Sequence, residues 1–370
     1  MRTFATHPES SRLSAPNSDL DLCILRLSAL GDASHVVAVV QRLQRDLPGV
    51  KITWIIGKLE HKLLEGLPGV EFVEIDKKLL WQSYRGLRRQ LSGRRFDALL
   101  HMQISLRANL VATAIRARRR IGLDPARSKD FHGLFVSERI RPAPPEGEHV
   151  ADALMAFTEK LGLPPAKPQW QMPIPADALA FAAEHLPAGD RWLGVNLCAS
   201  HARRNWPPER QAALIRHAIE AHGLRVVLLG GRSETERQFA DSIGALVPHP
   251  LLDLVGKDTL KQLMALLGRL TVLLSPDSGP MHIASAVGCP VIGLHAASNP
   301  RRSGAYNSQA WAVDRYDDAA RKYRQRPASE LPWGSKIEEP GVMDLIEVDE
   351  VIAMLDRFMA RTAPSETSST

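Results

Sequence analysis

The chain has 370 residues, 44% hydrophobic and 24% charged, with a formal net charge of +6. Such a profile belongs to a folded globular protein long enough for two domains and excludes a small disulfide-stapled or fibrous one. No apolar run approaches the ~18 residues that a membrane-spanning helix needs. The charge is uneven: residues 1–170 hold 26 Lys and Arg against 18 Asp and Glu, a surplus of 8, whereas the remainder has a deficit of 2.

In chain order, residues 1–19 read as a polar lead-in without an apolar signal core. The run 22–27 (LCILRL) predicts a strand, 33–47 a helix ending at Pro48-Gly49, and 51–56 a second strand, which together make a βαβ unit. Strands at 70–75 and 96–102 and a helix at 79–92 continue the alternation, so a parallel sheet covered by helices is expected. A helix at 149–161 lies among clustered prolines, and the domain boundary falls near 165–185. A second series follows, with strands at 192–197, 225–230, 270–275 and 290–295 and helices at 208–222, 234–245, 259–268 and 280–287. Residues 296–345 read as irregular, and 348–359 as a closing helix. Cys23, Cys198 and Cys289 are scattered through apolar runs, which fits free thiols in a reducing cytosol rather than a zinc site or disulfides.

Chemistry should collect in the loops that follow strands. Asp32, in Leu27-Ser28-Ala29-Leu30-Gly31-Asp32, stands where a helix begins and reads either as a helix cap or as a reactive carboxylate facing a cleft. Ser275-Pro276-Asp277-Ser278-Gly279-Pro280-Met281-His282 leads into a short helix whose free N–H groups make an anion site, with His282 in its first turn. Arg203 and Arg204, after the strand at 192–197, suit a diphosphate. Glu234, after Gly230-Gly231, suits ribose hydroxyls or caps its helix. The basic runs Arg85 to Arg95 and Arg116 to Arg120 read as solvated faces or as an anion-binding surface. P-loop, zinc-protease and serine-hydrolase signatures are absent.

Taken in order, ILRLSALGD (24–32), NLCASHARRNWP (196–207), LLGGRSETER (228–237), SPDSGPMHIASAVGCPVIGLHAASNP (275–300), Gly304-Ala305-Tyr306 and IEVDEVIAML (346–355) resemble glycosyltransferase family 9, the ADP-heptose:lipopolysaccharide heptosyltransferases. The resemblance covers about residues 20 to 360. It implies an α/β GT-B fold: two Rossmann-like domains facing across a cleft, with the C-terminal helix packing back toward the N-terminal domain. The acceptor-binding domain would span 20–175, the nucleotide-sugar domain 176–345, the closing helix 346–361 and a disordered tail 362–370.

It further implies an inverting transfer of heptose or a related sugar from an ADP-sugar, with Asp32 as general base. Ser200, Arg204, Glu234, Asp277, Ser278, Gly279 and His282 would bind the nucleotide sugar. Gly31, Arg118, Arg119 and Arg120 would meet an acidic lipid-linked glycan acceptor, and these arginines with Arg88, Arg89 and Arg94 would face its carboxylates and phosphates or anionic lipid headgroups. No cofactor, metal or nucleic acid is expected, and the enzyme would work in the cytoplasm, peripherally on the inner membrane. A transferase or epimerase of the same fold acting on another nucleotide sugar, or a silent binding protein of envelope assembly, is the competing expectation. The sequence departs from the family pattern in three places: Arg204 stands for the usual lysine, Ser200 is preceded by Ala199, and no Cys precedes the last helix.

Overall fold

The computed structural model describes residues 20–362, so the expectations for 1–19 and 362–370 lie outside the described residues, apart from Thr362. The first half comprises β1 (Asp21–Leu25), α1 (Leu30–Asp46), β2 (Lys51–Gly57), α2 (Lys58–Leu64), β3 (Val70–Ile75), α3 (Leu80–Gln90), β4 (Phe96–His101), α4 (Leu106–Ala112), β5 (Ala117–Gly122), β6 (Glu138–Arg139), α5 (Val150–Lys160) and α6 (Ala176–His185). The second comprises β7 (Trp192–Asn196), α7 (Pro208–His222), β8 (Arg225–Leu229), α8 (Glu234–Leu246), β9 (Leu252–Asp253), α9 (Leu260–Leu267), β10 (Val272–Pro276) and α10 (Gly279–Ala286). It continues with β11 (Val291–His295), α11 (Pro300–Ser303), β12 (Ala312–Asp314), α12 (Tyr316–Arg324) and α13 (Val348–Thr362).

The two sheets share one topology. All pairings are parallel, in the orders β3-β2-β1-β4-β5-β6 and β12-β11-β10-β7-β8-β9. Each sheet therefore reverses direction between its first and fourth strands, which opens a crevice at their carboxyl ends. Strands buried on both faces, such as Trp192–Asn196, are apolar without alternation, as a helix-covered sheet requires.

Helix α1 joins the halves. Val36 to Val40 are all buried, because α1 packs on its own sheet, on α5 and on α10 of the second half. A single apolar cluster consequently continues from Leu22 and Ile24 through α1 to Met281, Ile283 and Leu273. The opposite face of the first sheet is covered by α3 and α4.

Two expectations are corrected. Helix α13 does not pack toward the first domain: Val351, Leu355, Phe358 and Met359 complete the core of the second domain against α7 and its strands. Residues 296–345 are not irregular throughout, since they hold α11, β12 and α12. Strand β12 extends the second sheet, and Ala319 and Ala320 of α12 are buried in the same core.

Candidate active site

The chain leaves β1 into an extended N-cap at Ala29 and turns directly into α1. Asp32 is thus the third residue of the helix and not its cap. Its carboxylate reaches back to the Ala29 N–H at 3.4 Å and forms an ion pair with Arg26 Nη2. Arg26 is itself fixed, because its Nε donates to the Ser28 carbonyl at 2.8 Å and its Nη1 to that of Met102. Burial raises the Asp32 carboxyl, but the charges of Arg26, His282 and Arg302 outweigh it and hold the group below the ordinary carboxylate range. With its side chain 34% exposed, Asp32 is an ionised carboxylate open to the cleft.

Facing it is the N-terminus of α10. A Cβ on Gly31 would stand 2.3 Å from His282 Cδ2, so only glycine lets the two helix starts approach this closely. Ser278 is the N-cap of α10, yet its Oγ bonds Asn196 Nδ2 and Ser275 Oγ, each at 3.0 Å. With no side chain capping α10, the first-turn N–H groups remain available to an anion, and Gly279 leaves room beside them. Asp277 is buried: Ser303 Oγ donates to it at 3.3 Å, His282 Nε2 lies 3.5 Å away and Lys336 Nζ 4.0 Å away. Burial raises its carboxyl, but His282, His295 and Lys336 prevail and hold it far below the usual range. Asp277 thereby fixes the ring of His282 behind the anion site.

Three cations gather at this point. Arg204 donates twice to Glu338, its Nε at 2.8 Å and its Nη2 at 2.7 Å, and its Nη1 lies 3.5 Å from the Asp277 carbonyl. Lys336 is carried in by a bridge pairing with Ser298, and burial together with Arg204 and Arg302 pulls its ammonium below the ordinary lysine range. Arg302 of α11 makes no ion pair among the described residues, and its field reaches Asp32, His149 and Lys336. Neither Lys336 nor Arg302 carries a sequence signal of its own: Lys336 lies in a stretch without a motif, and Arg302 falls in the gap between 275–300 and Gly304-Ala305-Tyr306. Behind the cleft, His35 is buried with both ring nitrogens unpartnered, 4.9 Å from the His282 ring. Burial, reinforced by His282 and His149, keeps it neutral.

Other expected residues lie apart. Ser200 is exposed on the loop before Arg204. Glu234 is exposed at the start of α8, whose capping is done by Ser233 and by Glu236, which accepts from the Gly231 N–H at 2.7 Å. Arg118, Arg119 and Arg120 sit within β5, and two of them are committed to internal partners. Arg119 forms a two-pronged pair with Glu138 at 2.7 and 2.9 Å. The guanidinium of Arg120 donates to the carbonyls of Ala112, Ile115 and Phe135, satisfying the exposed end of α4. Arg118 is exposed and lies 3.3 Å from Asp97. Arg119 and Arg120 thus have their donors on internal partners. Among the described residues, the one cluster of three possible metal ligands is His217, His222 and Asp356, between α7 and α13, outside this cleft.

Comparison with known proteins agrees with this geometry. Residues 84–333, more than half of the chain, match the family model described as glycosyltransferase family 9 (heptosyltransferase). The lipopolysaccharide core heptosyltransferase OpsX of Haemophilus influenzae is 39% identical over 344 residues, covering 93% of this chain and 97% of that protein. Among solved structures, a family 9 glycosyl transferase of Veillonella parvula superposes with a TM-score of 0.74 at 20% identity, over 94% of this chain and 100% of that one. E. coli heptosyltransferase WaaC with ADP gives 0.70 at 17% identity, over 92% and 100%. These two likenesses establish the two-domain GT-B fold.

Proposed function

The chain belongs to glycosyltransferase family 9, the heptosyltransferases, and from that premise we propose an inverting transfer of heptose from an ADP-sugar to a lipopolysaccharide-core acceptor. The observation that carries the proposal is the opposition of two helix starts: an ionised, open carboxylate at Asp32 and an uncapped, cation-flanked N-terminus at α10. The name of the OpsX relative supplies the acceptor class, and the ADP bound by WaaC supplies the nucleotide.

In this reading, the diphosphate rests on the N–H groups of Gly279 and Met281, with Arg204, Lys336 and Arg302 around it. Glu234, free of capping duty, accepts the ribose hydroxyls, and Ser200 adds a hydroxyl near the phosphates. The acceptor hydroxyl meets Asp32. As its oxygen bonds the anomeric carbon, the bond from that carbon to the diphosphate oxygen breaks, and the electron pair leaves with the diphosphate. The hydroxyl proton passes to Asp32 late in this step, when the bonding oxygen has become acidic, which suits a base of depressed pKa. Nucleophile and leaving group lie on opposite sides of the sugar, so its configuration inverts. Charge developing on the diphosphate meets fixed cations and amides, and no metal ion enters the scheme.

The test is transfer from ADP-heptose to a delipidated core oligosaccharide in the presence of a chelator, with the anomeric configuration of the product read by NMR. Asp32→Asn should lower kcat by roughly 10²–10⁴-fold while leaving ADP affinity intact. Retained configuration, or full activity in Asp32→Asn, would sink the mechanism.

A further inference from the structure

Six of the large apolar side chains that stand exposed among the described residues fall in one region of the first domain: Leu79, Trp81, Leu106, Leu110, Phe131 and Leu134. Trp81, Phe131 and Leu134 are 71%, 77% and 81% exposed. Single exposed apolar residues need no explanation, but contiguous ones mark an interaction surface. Contiguity here follows from the packing. Helices α3 and α4 share one core cluster beneath them, and the hydroxyls of Tyr84 and Thr113 bond across them at 3.1 Å. Asn109 of α4 donates to the Asp130 carbonyl at 2.7 Å, which seats the turn holding Phe131 and Leu134 beside that helix. Phe131 takes a left-handed φ of 58°, rare for an aromatic residue, and gains no burial from it.

The patch lies at the rim of the cleft. Helix α3 follows β3, α4 follows β4 and the turn follows β5, so all three segments start at the sheet edge where Asp32 follows β1. Gln103 Nε2 donates to Ser28 Oγ at 3.2 Å and ties the β4 loop to the loop of Asp32. The charge around the patch is predominantly positive, with Asp130, exposed beside Phe131, as the opposing carboxylate. Arg85, Arg88, Arg89, Arg107 and Lys129 are exposed, and none forms an ion pair among the described residues. Residues 77–96 and 98–123 contain no Asp or Glu.

We propose that this face docks on an anionic phospholipid bilayer. Trp81, Phe131 and Leu134 enter the boundary between headgroups and acyl chains, and the five cations meet lipid phosphates. A second copy of the chain is a poor occupant, because a twofold interface would set two such predominantly cationic surfaces against each other. No helix of the described residues is long and apolar enough to cross a membrane, and this surface supplies an attachment of its own. The inference deepens the proposed function: a lipid-anchored acceptor reaches Asp32 over the rim without leaving the membrane.

The experiment is co-sedimentation of the full chain with extruded vesicles of phosphatidylethanolamine and phosphatidylglycerol, against neutral phosphatidylcholine vesicles. It uses neither donor nor acceptor, so its result is independent of the transferase reading. The wild type should partition at least about tenfold more strongly to the anionic vesicles, and salt should weaken binding. The Trp81→Ser, Phe131→Ser, Leu134→Ser triple variant should lose about tenfold or more, keep its melting temperature and turn over a delipidated acceptor normally. Should the triple variant not fold, the Arg88→Glu, Arg89→Glu variant must show the loss. Equal partition to both vesicle types, wild-type binding by either folded variant, or a wild-type dimer dissolved by the triple variant would overturn the proposal.

Discussion

Two carboxylates flank the cleft, one at the start of each apposed helix. Asp32 is one-third exposed, tied only to Arg26 and the Ala29 N–H. Asp277 is buried among Ser303, His282 and Lys336. Both are held ionised by neighbouring cations, yet the consequences diverge. A carboxylate with an open lone pair can receive a proton, whereas one whose neighbours are all internal orients them. Under the proposed mechanism, accessibility and not charge state separates the reacting group from the positioning one.

That contrast can be broken most sharply by comparing amides at the two positions. Asp277→Asn should destabilise the fold by about 1–3 kcal/mol, because the buried partners lose the negative charge and one of two acceptor oxygens, and should weaken ADP binding as His282 and Lys336 lose their anionic anchor. Asp32→Asn should leave the melting temperature nearly unchanged while transfer collapses. Chemical denaturation with ADP titration checks both, and equal destabilisation would erase the distinction.

Acid provides the next test. The pKa of Asp277 is depressed in the folded state, so its contribution to stability is complete above the unfolded value of about 4 and fades as pH falls toward the folded value. The acid-induced loss of stability should therefore shrink in Asp277→Asn. The depressed pKa of Asp32 acts on rate as well: kcat/KM should stay flat down to the ordinary carboxylate range. Arg26→Gln should move the acid limb of the profile upward, because the cation that favours the ionised form is gone. A limb that stays in place would remove Arg26 from that role.

Smaller effects are expected where the helix starts meet. Gly31→Ala places a Cβ against His282 and should raise the KM for the donor by about tenfold, with kcat less affected. Glu338→Gln frees Arg204 from its standing partner and should tighten ADP binding by a few fold, an effect that added salt diminishes. Isothermal titration at two ionic strengths would register it, and weaker binding would mean that Glu338 positions Arg204 instead of competing for it.

Much of this architecture was legible in the sequence because parallel strands covered on both faces are written as unbroken apolar runs. The loop residues Asp32, Asp277 and His282 were legible for a related reason: they follow such strands within a few positions. What escaped reading depends on distant partners. Ala117–Gly122 looks like a charged surface run and is a strand, because Arg119 finds Glu138 and Arg120 finds the carbonyls ending α4. Lys336 and Arg302 reach the cleft through a bridge to Ser298 and a single turn of helix, and neither leaves a local pattern. The closing helix carries an amphipathic stripe that specifies burial without naming the domain that supplies it.

The apolar seam through α1 has a thermodynamic consequence. Two sheets with separate cores would melt in two steps, but here the inner face of one continues into the helices of the other. Unfolding either half strips the cover from α1 and α10 together. Heat should therefore take the chain apart in a single calorimetric transition, and ADP, although its proposed contacts all lie in the second half, should raise the melting point of both.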